Sequence, residues 1–147
     1  MKISHILHPT DFSEGSEAAL DYARALAKQY NASLTHLFVL NDVRKGEGWY
    51  VPHISLDTFF KEMEAEAKKK LDHYCYEEQM DLRSVNSVIL SGSADDSIVN
   101  YAKKNGVDLI VMGSYSKSGM DFLFGSVTRK VIKKADCPVL CVKVPAQ

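Results

Sequence analysis

Val107-Asp108-Leu109-Ile110-Val111-Met112-Gly113-Ser114-Tyr115-Ser116-Lys117-Ser118-Gly119, continuing through Met120-Asp121-Phe122-Leu123-Phe124 to Gly125-Ser126-Val127-Thr128-Arg129-Lys130, is the stretch that decides the fold. Leu109 to Met112 is a short apolar run, which reads as a parallel strand covered on both faces. Small and polar residues follow, and Gly125-Ser126 opens a segment of helical patterning. A strand, a glycine-containing turn and a helix start bring several backbone N–H groups to the positive end of a helix dipole. A phosphate can bind there without any catalytic side chain.

Working outward, Ile3 to Leu7 reads as a first strand ended by Pro9, and His8 to Ser13 as the loop after it. Ser13 is an N-cap for a helix to Gln29, whose Ala19, Tyr22, Ala23, Leu26 and Ala27 form one apolar stripe, with Asn31 at its C-terminal end. Ser33 to Leu40 is a second strand. Asn41 to Ser55 is irregular: Gly46, Gly48 and Pro52 break any period, while Trp49, Tyr50, Val51 and Ile54 are large and apolar. That loop either packs over the sheet edge or forms a lid beside the site. Leu56 to Gln79 is a well-charged helix with Glu64–Lys68 and Glu66–Lys70 at the favourable spacing, a solvated face. Val85 to Leu90 is a third strand, Ser91-Gly92-Ser93 a turn, and Asp95 to Asn105 a helix ended by Gly106. The helix from Ser126 runs to Lys133-Lys134, and Pro138 to Val144 is a last strand.

Strand and helix therefore alternate from end to end, which predicts one α/β domain over residues 1–147. Its sheet is parallel and doubly wound, Rossmann-like, with helices on both faces. Ligands of such sheets sit beyond the carboxyl ends of the strands, where strand order reverses. The ends after strand one (Pro9, Thr10, Asp11), strand two (Val39 to Asn41) and strand four (Met112 to Gly119) are thus all candidates for one crevice.

Composition narrows the function. The chain has 147 residues and a formal net charge of −1, which gives no electrostatic case for nucleic acid or an anionic membrane. No apolar run approaches the roughly 18 residues that span a bilayer, and the start is too short for a signal peptide. Cys75, Cys137 and Cys141 cannot all pair within one chain, and Cys137 and Cys141 would stand about 13 Å apart on an extended strand. A cytoplasmic home follows. No clustered Cys and His spacing indicates zinc.

Among chemically capable residues, Asp11 reads either as a turn residue bonding local backbone or as a crevice carboxylate. His5 and His36 fall within strands and read as packed; His8, at a strand end, has a claim on the crevice. Ser13 and Ser126 read as helix caps, since neither sits in a nucleophile elbow, and no Walker-type phosphate loop is present. No residue is assigned a catalytic role.

Ile6-Leu7-His8-Pro9-Thr10-Asp11-Phe12-Ser13-Glu14, Val107 to Ser114, Gly125-Ser126-Val127-Thr128 and Cys137-Pro138-Val139-Leu140 together resemble the universal stress protein (UspA) family. The resemblance spans essentially the whole chain. It implies a five-stranded, mostly parallel fold of the adenine nucleotide alpha hydrolase-like kind, a homodimer, and a role in stress survival. ATP-binding members carry G-x-x-G, nine residues, then G-[ST]. Gly113 matches the first glycine, Ser116 stands at the second, and eight residues, Lys117 to Phe124, precede Gly125-Ser126, with Gly119 displaced from the motif. Carried over, the resemblance puts Asp11 at the base or ribose and Val39 against adenine, with Pro9 and Thr10 among the cofactor-binding residues. Met112 and Gly113 would line the pocket floor, and Ser116, Gly125, Ser126 and Val127 would offer backbone or hydroxyl groups to the phosphates of ATP, bound with Mg or Mn, with Gly119 the displaced glycine of the same cofactor site. The rival readings are the same fold with a degenerate site, acting through its dimer and protein partners, and a slow ATPase. The apolar strand Pro138 to Val144 is the expected dimer contact.

Overall fold

The structure is a computed structural model that describes residues 1–41, 53–114 and 125–144. Element order is β1 (His5–Pro9), α1 (Glu14–Tyr30), β2 (Ser33–Leu40), α2 (His53–Glu78), β3 (Ser84–Ser91), α3 (Ala94–Lys104), β4 (Leu109–Gly113), α4 (Ser126–Lys134) and β5 (Val139–Val142). The strands form a five-stranded sheet in the order β3-β2-β1-β4-β5, every neighbouring pair parallel. The chain builds outward from β1 to β3, then returns to β4, so strand order reverses between β1 and β4. α2 begins three residues before the expected Leu56, and the irregular segment with its aromatic residues falls mostly outside the described residues.

Alternation along the strands sends successive side chains to opposite faces. On one face Ile6, Leu34 and Val111 lie under Ala19, Ala23 and Ala27 of α1, all of them fully buried. Methyl side chains at that stripe let α1 settle close to the sheet. Leu20 of α1 meets Leu71 and Tyr74 of α2 on the same side, against Phe38 and Ile89. On the other face Leu7, Leu37, Ile110 and Met112 pack on Ile98 and Ala102 of α3 and Val131 of α4. Each large aliphatic side chain so enclosed contributes about 1.5–3 kcal/mol.

Local signals close the elements. Ser13 accepts from the Ser16 N–H, and Asn31 ends α1 in the left-handed region at φ 52°. Gly106, at φ 62°, follows the Asn105 cap of α3, and the Val107 N–H returns to the Ala102 carbonyl at 3.0 Å. Asp108 sits at the opposite end of the sheet from the strand C-termini and accepts from the Ser4 and His5 N–H groups at 2.8 and 3.0 Å. Its role is to start β1. On α2, Lys68 pairs with Asp72 at 2.9 Å, and the Lys70 ammonium lies 4.9 Å from the centre of the Phe12 ring.

β1 runs to Pro9, two residues beyond the expected Leu7, because its ladder with β2 continues to Pro9↔Leu37 and then to a bond from the Thr10 N–H to the Leu37 carbonyl at 2.9 Å. Thr10 bonds toward β2, and His5 accepts from Asp108 on the β4 side. Residue parity therefore points the nitrogen of Pro9 at β4, where proline has no hydrogen to donate. The β1–β4 register stops at Leu7↔Ile110. The two strands part at the reversal point, and space opens between them.

Candidate functional site

That space is a cavity of about 360 Å³, within the range of small-molecule sites. Pro9 at the end of β1, Thr10 and Asp11 beyond it, Leu37 and Val39 of β2, and Met112 and Gly113 of β4 line it. So do the starts of three helices: Ser13, Gly15 and Ser16 of α1, Ala94 and Ile98 of α3, and Gly125, Ser126, Val127 and Thr128 of α4. Leu37, Val39, Ile98 and Met112 make one wall apolar, whereas the helix starts bring backbone N–H groups to the other.

Asp11 bonds the local backbone as a turn residue does. Its Oδ1 accepts from the Ser13 N–H at 2.9 Å and from the Ser16 hydroxyl at 3.1 Å, fixing the turn, and the residue also borders the cavity. Burial works against its charge. Hydrogen bonds from Ser13 and Ser16 outweigh that and hold the carboxyl below its ordinary range. Thr10 completes the turn, its hydroxyl donating to Ser16 at 3.1 Å and accepting from the Phe12 N–H at 3.0 Å. Phe12 is held at φ 61°, a conformation that costs a non-glycine residue about 1 kcal/mol. Stacking of its ring on Phe38, centroids 5.3 Å apart, offsets that cost.

Gly113 is glycine for space. A Cβ there would lie 2.3 Å from the backbone carbon and oxygen of Gly15, so the end of β4 and the first turn of α1 touch backbone to backbone. The Gly113 carbonyl accepts from the Thr128 hydroxyl at 2.8 Å, which ties α4 to the same point. α1 and α4 thus reach the cavity through one glycine.

The three helix starts differ in charge. The first turn of α1 carries Glu14 and Glu17, and that of α3 carries Asp95 and Asp96. The first turn of α4 carries no acid, and Gly125 at its cap offers no side-chain bond. Of the three dipoles aimed at the cavity, the α4 dipole is the one without a carboxylate in its first turn. Asp95 is instead engaged across the α3–α4 seam, where Lys134, bonded at 2.6 Å, and Ser93 hold its carboxyl down to about 2. Among the described residues no group of three or more His, Cys, Asp or Glu side chains is spaced to hold a metal ion.

Pro9, Thr10, Asp11, Val39, Met112, Gly113, Gly125, Ser126 and Val127 are therefore brought together, while Ser116 and Gly119 lie outside the described residues. His8 does not reach the cavity. It lies within β1, fully buried, on the α1–α2 face, because parity puts it beside Ile6 and opposite Pro9. Ser126 is the first helical residue, and Gly125 takes the cap position expected of it. Ser13, Gly15, Ser16, Leu37, Ala94, Ile98 and Thr128 complete the lining without having been placed there from sequence. The α3 residues carry no local signal of it, since only the return of the chain across the sheet brings α3 over the reversal point.

A sequence model of the universal stress protein family matches residues 2–143. The chain belongs to the universal stress protein family. Universal stress protein MJ0577 of Methanocaldococcus jannaschii is 34% identical over 151 residues, covering 94% of this chain and 93% of that protein. Among solved structures, universal stress protein UspA from Lactobacillus plantarum superposes with a TM-score of 0.85 at 26% identity, over 97% of this chain and 99% of that one. The universal stress protein from Archaeoglobus fulgidus in complex with dAMP gives 0.68 at 23% identity, over 96% and 98%. The parallel α/β sheet is the architecture this family shares. No described helix is long and apolar enough to cross a membrane.

Proposed function

We propose that this universal stress protein is a stress-response binding module whose cavity takes an adenine nucleotide, ATP with Mg or Mn in the first instance. The observation that carries the reading is the charge pattern around the cavity. The α4 start presents N–H groups with no acid in its first turn, and the carboxylate of Asp11 borders the same space from β1. Phosphates are favoured at α4 and repelled from Asp11, which instead accepts from a ribose hydroxyl. Leu37, Val39 and Ile98 supply the apolar surface for a base. The metal rides on the phosphates and needs few protein ligands. The dAMP complex belongs to a relative that shares this fold at 23% identity, so the cavity and not that complex supports the nucleotide. A reducing cytoplasm suits the free thiols of Cys75, Cys137 and Cys141.

Calorimetric titration with ATP and magnesium is expected to show one site, weakened by Asp11→Ala and abolished by Gly125→Val. No heat and no rise in melting temperature at saturating ATP would sink the reading. Binding that survives both substitutions would place the ligand elsewhere. Serine at position 116, where ATP-binding members have glycine, favours a second reading in which the module works through assembly. We infer for that purpose that β5, at one edge of the sheet with β4 on its other side, pairs with a second copy.

A further inference from the structure

Behind the cavity wall, three groups that are otherwise costly to bury form one hydrogen-bonded chain. His8 and His36 are fully buried and Glu78 is 4% exposed. Nε2 of His8 meets the Ser16 carbonyl at 2.9 Å, Nδ1 of His8 meets Nδ1 of His36 at 2.9 Å, and Nε2 of His36 meets Oε2 of Glu78 at 2.6 Å. The guanidinium of Arg24 donates to the other oxygen of Glu78, and to Glu77 at 3.2 Å. The chain runs from the first turn of α1, through β1 and β2, to the last turn of α2.

Its protons can be counted. A backbone carbonyl only accepts, so Nε2 of His8 carries a hydrogen and donates to Ser16. Neutral His8 then has a bare Nδ1, and the hydrogen between the two rings belongs to His36. The contact between His36 and Glu78 needs one more. Three contacts hold three protons, and a fourth has no contact to occupy. A further proton on Nδ1 of His8 would set two N–H donors face to face at 2.9 Å in a site closed to water.

We propose that the His8–His36–Glu78 chain is an acid-sensitive latch on the first turn of α1. It holds the Thr10–Ser16 wall of the cavity while His8 keeps one proton and releases that wall when His8 takes a second. The release acts on the cavity because Ser16, whose carbonyl His8 grips, also bonds Asp11 and Thr10 through its hydroxyl. This regulation of ligand binding rests on the nucleotide reading, whereas the latch itself does not. The ionisable groups around His8 all enter the balance. β2 contributes His36, and α1 contributes Glu17 and Arg24. α2 contributes Lys70, Tyr74, Glu77 and Glu78, the Tyr74 ring lying 5.3 Å from that of His36 and its hydroxyl donating to Glu17. Asp11 stands in the adjoining turn, and β4 carries no ionisable side chain. Burial and the positive charge on His36 hold His8 down to about 3, so the second proton enters through the opened turn.

Hydrogen exchange of the Glu17 to Leu20 amides, corrected for intrinsic rates, tests the latch, with His8→Gln as the comparison. Glutamine keeps one N–H donor group and one acceptor oxygen at the end of its side chain yet binds no proton. Between pH 7 and pH 5 the natural protein should lose about 25-fold in first-turn protection, the factor by which the neutral fraction of an exposed histidine falls, and His8→Gln should lose none of that factor. Nitrogen NMR at pH 7 should show the His8 hydrogen on Nε2. Equal loss of protection in both proteins, or a hydrogen on Nδ1, overturns the latch. Titration with ATP and magnesium at both pH values should show affinity falling further in the natural protein than in His8→Gln. Equal falls remove the coupling to the cavity. If ATP binds neither protein at either pH, the nucleotide reading fails and the exchange experiment still decides the latch.

Discussion

Acidification should destabilise the whole fold through His8, by an amount that follows from its burial. Its folded pKa is lowered to about 3 by burial and by the charge on His36, while an unfolded chain returns it to about 6.5. A histidine with a depressed folded pKa contributes stability that is fully present above the unfolded value. That stability is lost as pH falls from about 6.5 toward about 3, where the unfolded chain binds the extra proton. Integrated from pH 7 to pH 5, the loss is about 2 kcal/mol. The unfolded state sets this figure, and it barely changes for any folded value at or below about 4. Other ionisable groups also contribute to the pH dependence of the whole protein, so the comparison must isolate position 8. Urea denaturation at both pH values, for the natural protein and for His8→Gln, does so. The natural protein should lose about 2 kcal/mol more than the variant over that interval. Equal losses would show that His8 titrates normally in the folded state, and the buried chain would need another explanation.

Two further outcomes follow from backbone geometry. Gly113→Ala places a Cβ 2.3 Å from the Gly15 backbone, which must move by more than about 1 Å to reach ordinary contact; a loss of about 1–3 kcal/mol in urea is expected, and an unchanged midpoint would refute the backbone contact. The proposed dimer is testable at β5, where the Ile110 N–H bonds to the Pro138 carbonyl and the Ser114 N–H to the Val142 carbonyl, so even-numbered residues face β4 while Val139 and Cys141 face outward. Cys141→Pro should therefore give a folded monomer by sedimentation, whereas Val142→Pro would strike the bond to β4. A natural protein already monomeric at micromolar concentrations would remove the dimer.

The alternation of apolar runs and amphipathic segments already specified a parallel α/β fold, because each signal is local: a strand buried on both faces is apolar throughout, and a covering helix repeats every three to four residues. Ser13, Asn31 and Gly106 marked helix ends for the same reason, each satisfying or terminating the backbone beside it. The residues on either side of the crevice were legible too, since Pro9 to Asp11, Met112, Gly113 and Gly125 to Val127 all end strands, follow them or open helices. Only the tertiary structure decided what depends on strand order. It placed Ala94 and Ile98 of α3 on the cavity, and it set Gly113 against Gly15, so that space rather than backbone conformation demands the glycine. It also turned His8 away from the crevice. In sequence His8, His36 and Glu78 are three unrelated polar residues far apart along the chain. They become one proton-counted chain because β1 and β2 pair with His8 opposite His36, and α2 ends directly above that pair.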